Sequence, residues 1–163
     1  MIKFYNTTDI PYGVFSNFAP YGFYENNIFW KTSEHWFQAQ KYAYPDNSKH
    51  EQYYRIAKAE TPKSAAALGR SRRYEIRSDW DLELATIHNT KVKLKEKIMY
   101  QALIQKFTSY PMLQHILLST KDQEIIEDSH VDSYWGCGKD GQGLNRLGVL
   151  LMMLREDIKN GKL

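Results

Sequence analysis

The stretch TSEHWFQAQKY (32–42) carries the strongest structural signal in the chain. It begins with two residues able to cap a helix, and the rest is typical of one. At ~100° per residue, Glu34, Gln38 and Lys41 fall on one stripe of this helix, with Phe37 beside them. Surface helices ordinarily keep charged groups away from aromatic rings. The pattern leaves two interpretations open, a solvated ladder of little energetic value or a face that lines a chemical site.

The composition is that of a soluble globular protein, and the simplest organisation is one domain over residues 1–163. Hydrophobic residues make up 42% and charged residues 25%. A net charge of +3 is too small to indicate nucleic-acid binding by itself. The single Cys137 excludes an intramolecular disulfide framework. Because no apolar run indicates secretion or membrane insertion, the expected location is the cytoplasm.

The patterning predicts an α+β fold that is mostly helical, with a small sheet in the N-terminal third. Asn26-Asn27 is predicted to turn a hairpin, and EIIED (124–128) to form a strand. The predicted helices are one near 47–59, one from Thr61 to Gly69, a long one from Ser78 or Asp81 to about Phe107, one opened by Pro111, and a closing one over 144–158.

The segment DSHVDSYWGCGKDGQGLNRLG (128–148) places four glycines before the closing helix. Its letters match G-x-G-x-x-G, but a polar acidic segment precedes them instead of a buried strand, so a Rossmann site is rejected. The remaining interpretations are a flexible linker and a binding loop. The binding loop is favoured because Asp132, Tyr134, Trp135 and Asn145 crowd the same segment.

Other candidate groups are weaker. An arginine-rich connector suits phosphate contacts, but a solvated charged face explains it equally well; its arginines are Arg70, Arg72, Arg73 and Arg77. Trp80 is either a stacking platform or a core residue. The five histidines lack metal-ligand spacing, so no metal is predicted, and His35 is expected to be structural. No G-x-S-x-G elbow is present.

Glu34 and Lys41 suit acid/base and nucleophilic chemistry if the rings shelter them. A sheltered carboxyl acts as a general acid or base, and a sheltered lysine can lose its proton and attack an electrophilic carbon. The residues alone leave this interpretation balanced against the solvated ladder.

Five blocks then resemble the NADAR or YbiA-like family, in order and spacing. They are FSNFAP (15–20), TSEHWFQAQKY (32–42), the Gly69-Arg70 pair, Asp79-Trp80, and DSYWGCGKDGQGLNRLGVLLMMLRE (132–156). The likeness runs from about Phe4 to Glu156. It implies a YbiA-like single domain with N-glycosidase activity and no cofactor. The YbiA-like type is associated with ribosylamino-pyrimidine phosphates, early intermediates of riboflavin synthesis. Other members remove ADP-ribose from guanine bases.

The resemblance also implies roles for individual residues. Glu34 would assist as acid and base while the C–N bond breaks, Lys41 would capture ribose C1 as an imine, and Asp132 would orient the ribose. Trp135 would stack on the base. The other implied substrate-binding residues are Asn17, Phe18, Gln38, Arg70, Trp80, Gly136, Gly138 and Asn145.

Two positions differ from the family pattern and bear on ligand preference. Trp36 stands where tyrosine is common, and Cys137 stands where an acidic residue occurs. The compact chain lacks a basic arm for a polynucleotide, so a small ribosylated metabolite is favoured over ADP-ribosylated nucleic acid. A non-catalytic module that binds ADP-ribose or a nucleotide is the alternative of another class.

Overall fold

The structure, a computed structural model, describes all residues from Met1 to Leu163. The six strands are β1 (Ile2–Phe4), β2 (Phe23–Glu25), β3 (Ile28–Trp30), β4 (Ala85–Ile87), β5 (Thr90–Val92) and β6 (Ile125–Glu127). The six α-helices are α1 (Ser33–Gln40), α2 (Glu51–Lys58), α3 (Pro62–Arg70), α4 (Leu94–Ser109), α5 (Pro111–Ser119) and α6 (Arg146–Lys159). The predicted fold class is confirmed, because the chain is mostly helical and carries small sheets.

Residue contacts divide the chain into two compact units. One consists of Met1–Ala19 with Leu103–Leu163, and the other of Pro20–Ala102. The organisation as one domain over residues 1–163 stays a prediction. None of the helices has both the length and the hydropathy that a membrane span requires.

The unit of residues 20–102 begins with the predicted hairpin, which is confirmed. Strands β2 and β3 pair antiparallel with Glu25 opposite Ile28. Asn26 and Asn27 form the turn with φ of 54° and 60°, the left-handed conformation that a two-residue hairpin requires. Helix α1 follows directly, and the Thr32 hydroxyl caps it by accepting from the His35 backbone N–H.

Helices α2 and α3 pack against α1 in this unit. Helix α2 starts at Glu51, later than predicted. Helix α3 starts as predicted, with Thr61 and Ser64 in a reciprocal capping box and Pro62 in the first turn. It ends at Arg70, so the prediction that Gly69 terminates it is wrong. Gly69 lies within the last turn and faces α1.

The prediction of a long helix from Ser78 or Asp81 is wrong in its first part, because β4 and β5 form a second hairpin there. His88 and Asn89 turn it with φ of 49° and 62°. Two apolar side chains of TIHNTKV are buried, Ile87 and Val92, as the alternation of a strand requires. The β-branched residues and the turn asparagine therefore outweigh the helical spacing of nearby leucines.

The other unit joins the two ends of the chain. Strand β1 pairs in parallel with β6, the strand predicted from EIIED, with Ile2 opposite Ile125. Helix α6 packs on β6 and on α5. The predicted apolar stripe of α6 is buried at Leu147, Leu150, Leu151 and Leu154. A 3-10 helix over Tyr12–Phe15 leads into the FSNFAP block.

Candidate functional site

The stripe predicted on α1 is buried, which excludes the solvated ladder. Glu34 is 7% exposed, Gln38 is 4% exposed, and Lys41 is 8% exposed. The Gln38 side-chain N–H donates to Glu34 Oε1 at 2.8 Å, so the two share one face of the helix as expected. Buried charged and polar groups on a helix of this kind need partners, and their retention in a core indicates a specific use.

Lys41 lies just beyond the end of α1 and is held by α3. Its ammonium donates to the Gly69 carbonyl oxygen at 3.1 Å. The same nitrogen lies 5.9 Å from the ring centroid of Trp80. A carbonyl dipole and an aromatic face compensate only part of the hydration that the amine loses on burial.

Burial lowers the pKa of Lys41 to about 8. The negative charge of Glu34 opposes this shift, whereas the positive charges of Arg72, Arg70 and Lys95 reinforce it. At neutral pH about a tenth of such an amine is uncharged, compared with well under a thousandth of an ordinary lysine. Lys41 therefore has the protonation behaviour of a nucleophilic lysine.

An aromatic wall lies beside this pair. Phe37 and Trp80 are both buried, with ring centroids 5.2 Å apart. The Trp80 carbonyl accepts from the Lys95 backbone N–H at 3.1 Å, which joins the ring to the first turn of α4. Trp80 is thus part of the core and also faces Lys41. Its use as a stacking platform stays a prediction.

The arginine-rich connector is tied to the end of α1 by three hydrogen bonds. The Arg77 N–H donates to the Lys41 carbonyl at 2.8 Å, and the Tyr44 hydroxyl donates to the Glu75 carbonyl at 2.7 Å. The Tyr42 hydroxyl donates to the Ser71 carbonyl at 3.4 Å.

The four arginines have different surroundings. Arg77 is engaged with Asp79 at 2.6 and 3.0 Å, and this pair holds the pKa of Asp79 below its usual range. Arg73 lies over the ring of Tyr74. Arg70 is exposed at the end of α3, and Arg72 donates to its carbonyl at 3.4 Å. Of the four arginines, Arg70 and Arg72 are the ones whose positive charges help to lower the pKa of Lys41.

The glycine-rich segment lies in the other unit and is ordered by its own backbone. Asp132 Oδ1 accepts from the backbone N–H groups of Tyr134 and Trp135, at 2.9 and 2.8 Å. The Gly138 N–H donates to the carbonyls of Ser129 and Asp132. A Cβ on Gly136 would lie 2.8 Å from the Ser129 side chain. The hydrogen bonding and close packing describe a built loop rather than a flexible linker.

Asn145 joins this loop to strand β6. Its side-chain oxygen accepts from the Glu127 N–H at 2.9 Å, and its side-chain N–H donates to the Ile125 carbonyl at 2.8 Å. Its backbone is left-handed, with φ of 49°. Asn145 thus supports the strand; its predicted contact with substrate stays a prediction.

The FSNFAP block lies in the same unit as the glycine-rich loop. Asn17 is buried, and Phe18 is exposed. The Lys106 side chain, fully buried, donates to the Ser16 carbonyl at 2.9 Å.

The predicted site residues therefore fall into two groups. The unit of residues 20–102 brings together Glu34, Gln38, Lys41, Arg70 and Trp80. The other unit holds Asn17, Phe18, Asp132, Trp135, Gly136, Gly138 and Asn145. The contribution of Lys95 was not predicted, because its position next to Trp80 depends on the unpredicted hairpin. Lys95 pairs with Asp81 at 2.6 Å.

The structural role expected for His35 is confirmed. Its ring contacts the Thr32 hydroxyl at 2.8 Å and the Ala59 carbonyl at 3.0 Å, and burial lowers its pKa. Of the two positions that depart from the family pattern, Trp36 donates to Glu25 at 3.2 Å. Cys137 is buried beside Asp128, and burial raises the pKa of its thiol. No group of three His, Cys, Asp or Glu side chains is arranged to hold a metal ion.

Comparison with known proteins gives relatives of matching length. The chain is 41% identical over 150 residues to N-glycosidase Npun_R5314 of Nostoc punctiforme, which covers 92% of this chain and 88% of that protein. It is 39% identical over 158 residues to N-glycosidase YbiA of Escherichia coli, and the match covers 97% of this chain and 88% of that protein. The solved NMR structure of Escherichia coli YbiA matches with a TM-score of 0.81 over 99% of this chain and 86% of that chain, at 38% identity.

A longer plant protein contains a similar region. The chain is 39% identical to part of the chloroplastic riboflavin biosynthesis protein PYRR of Zea mays, covering 97% of this chain but 25% of that protein. The family model described as the NADAR domain matches residues 3–159. Because this match spans nearly the whole chain, the chain belongs to the NADAR domain family.

Proposed function

We propose that this chain is an N-glycosidase that hydrolyses the bond between ribose C1 and the nitrogen of a base. The observation that carries this proposal is Lys41, a buried amine with a pKa of about 8 beside the carboxyl group of Glu34. A lysine that is uncharged in part at neutral pH can attack a sugar carbon, and a neighbouring carboxylate can move the protons. The names of the relatives from Nostoc punctiforme and Escherichia coli support the same activity.

The favoured substrate is a ribosylamino-pyrimidine phosphate, an early intermediate of riboflavin synthesis. The name of the Zea mays relative places a region similar to this chain in a riboflavin biosynthesis protein, and a second relative, from Vibrio vulnificus, is also named a riboflavin biosynthesis protein. Arg70, exposed and near Lys41, suits the 5-phosphate. The cytoplasmic location expected from the sequence belongs to this proposal.

The reaction follows from the chemistry of the two side chains. In the ring-opened substrate, C1 is doubly bonded to the base nitrogen. The uncharged Lys41 Nζ adds to C1, and Glu34 carries the proton that Nζ loses to the base nitrogen. The C1–N bond then breaks, the base leaves as an amine, and C1 is doubly bonded to Nζ. Water adds to C1, and departure of Nζ releases the sugar aldehyde and regenerates the lysine.

The hydrogen bonds of the site suit these steps. An uncharged amine that donates one hydrogen to the Gly69 carbonyl keeps its lone pair free for C1. The wall of Phe37 and Trp80 limits water around the reacting atoms. The resemblance further implies that Asp132 orients the ribose and Trp135 stacks on the base, and both roles remain part of the proposal.

A mass-spectrometric time course tests the activity with the wild-type chain and Glu34→Gln. Each protein receives a ribosylamino-uracil phosphate and, separately, an oligonucleotide carrying ADP-ribose on guanine. We expect ribose 5-phosphate and free base from the first substrate, and a loss of at least ~100-fold in Glu34→Gln with an unchanged circular dichroism spectrum.

Each other outcome identifies a different function. Release of ADP-ribose from the oligonucleotide alone would replace the metabolite by ADP-ribosylated nucleic acid as substrate. Binding of ADP-ribose without consumption of either substrate would make the chain a binding module and overturn the proposal. Activity of Glu34→Gln within a few-fold of wild type would remove Glu34 from the reaction.

A further inference from the structure

Gln38 has a side-chain amide whose nitrogen faces Glu34 and whose oxygen faces Gly69. Its nitrogen donates to Glu34 Oε1 at 2.8 Å. Its oxygen is buried, has no hydrogen-bond partner, and lies against Gly69. A buried acceptor without a partner destabilises the folded state, so its retention at this position points to a use other than stability.

Gly69 is the residue that permits this arrangement. A Cβ at position 69 would lie 2.0 Å from Gln38 Oε1, 2.6 Å from its Cδ and 2.8 Å from its Cβ. The contact with the Gln38 Cβ cannot be relieved by rotating a flexible side chain, because that atom is fixed to the backbone of α1. Glycine at this position therefore lets α3 approach α1 closely enough to hold the Gln38 amide in one orientation.

The backbone of Gly69 also holds the second reacting group. Its carbonyl oxygen accepts from Lys41 Nζ at 3.1 Å. Gly69 thus contacts Lys41 directly, through its carbonyl. It acts on Glu34 indirectly, because it packs against the Gln38 amide that donates to Glu34. Placement of reacting groups to within a fraction of an ångström is a major source of catalytic rate.

We propose that Gln38 and Gly69 are a positioning pair that aligns the Glu34 carboxyl and the Lys41 amine for attack on ribose C1. This inference rests on the proposed N-glycosidase function. Gln38 then acts through Glu34, and it is not the substrate-binding residue that the resemblance implies. Its loss reduces kcat and leaves KM nearly unchanged, because the groups that it aligns matter in the transition state more than in the bound substrate.

The test is Gln38→Met, with Gln40→Met as its matched control. Methionine is close to glutamine in length. It has neither the N–H group that donates to Glu34 nor the unpartnered oxygen. Gln40 ends the same helix, two residues away on another face, and its amide contacts Tyr53 rather than Glu34. The same substitution there changes α1 without changing the Glu34 contact.

We expect Gln38→Met to lower kcat by at least ~10-fold, to leave KM within ~2-fold of wild type, and not to lower the melting temperature. Gln40→Met retains the kcat, KM and pH profile of wild type.

A rise in KM with kcat unchanged would return Gln38 to substrate binding and overturn the inference, as would a kcat within ~2-fold of wild type. If Gln38→Met fails to fold, the exchange Gln38→Gly with Gly69→Ala provides the same test, because it moves one Cβ from α1 to α3 and removes the amide. An inactive wild-type chain would instead contradict the proposed function, so the two failures are distinguishable.

Discussion

At the scale of single residues, burial of charge explains most of the chemistry in this chain. Lys41 and Lys106 are both buried, and burial lowers the pKa of Lys41 to about 8 and that of Lys106 to about 7. Their surroundings differ, since Glu34 and several cations act on Lys41 whereas burial alone accounts for the shift of Lys106. The lowered pKa of Lys41 therefore bears on the proposed catalysis, and that of Lys106 on stability.

The pH dependence of catalysis follows from Lys41. Because the proposed nucleophile is the uncharged amine, kcat/KM is expected to rise with pH and to level off above about 8. Lys41→Arg is expected to lose at least ~100-fold in kcat, because a guanidinium stays charged. Reduction with borohydride during turnover should add the mass of the sugar to the wild-type chain and not to Lys41→Arg.

Lys31→Arg is the matched control for this experiment. Lys31 is exposed and, like Lys41, donates to a backbone carbonyl, that of Ala59 at 3.0 Å. Its substitution should leave both the rate and the adduct unchanged. A rise of kcat/KM with pH that persists in Lys41→Arg would assign the titrating group to another residue.

Lys106 predicts a pH dependence of stability. Its pKa is about 7 in the folded state, compared with the ordinary lysine value of 10.5, which applies in the unfolded chain. Between these values the unfolded chain binds more protons than the folded one, so the free energy of unfolding rises with pH, by at most ~1.4 kcal/mol per pH unit. Below pH 7 the cost of burying the charge is fully present. Urea unfolding at pH 7, 8 and 9 should show wild type gaining stability relative to Lys106→Met.

Lys91→Met, at an exposed position of β5, serves as the control and should follow wild type at all three pH values. A constant difference between wild type and Lys106→Met across this range would mean that the folded state does not lower the pKa of Lys106.

At the scale of secondary-structure elements, turns and caps determine where helices and strands begin. The hairpin at Asn26-Asn27, the Thr32 cap and the start of α3 were predictable because each depends on neighbours within four residues. The β4–β5 hairpin was missed because His88-Asn89 is a weak turn signal and nearby leucines imitate a helical stripe. Two of these leucines, Leu82 and Leu84, are exposed.

Asn145 connects two elements, and its substitution tests that connection. Asn145→Ala removes both hydrogen bonds to β6 and places alanine at a φ of 49°, so we expect a loss of about 2–4 kcal/mol in the free energy of unfolding. Asn47→Ala is matched to it, because Asn47 is exposed and also has a left-handed backbone, with φ of 70°. It should lose only about 1 kcal/mol. Equal losses in chemical denaturation would show that backbone conformation, and not the two side-chain bonds, explains the effect.

At the scale of the whole molecule, contacts between residues distant in sequence define the two compact units. Strand β1 pairs with β6, so one unit contains both ends of the chain, whereas the other is continuous from Pro20 to Ala102. Parallel pairing of two three-residue strands leaves little local signal, because neither strand is long enough to show alternation. The predicted single domain and the predicted roles of Asp132 and Trp135 belong to this scale and stay predictions.

The sequence by itself determined the fold class, the family and the helix that carries Glu34, Gln38 and Lys41, because caps, turn residues and the order of motif blocks are local properties. Only the tertiary structure decided against the solvated ladder, because it shows that Glu34, Gln38 and Lys41 are buried. That decision depends on Gly69 of α3 and Trp80 of the connector, which remove Lys41 from water. Desolvation is a property of packing between elements, and it lowers the pKa of an amine that sequence alone cannot distinguish from a surface lysine.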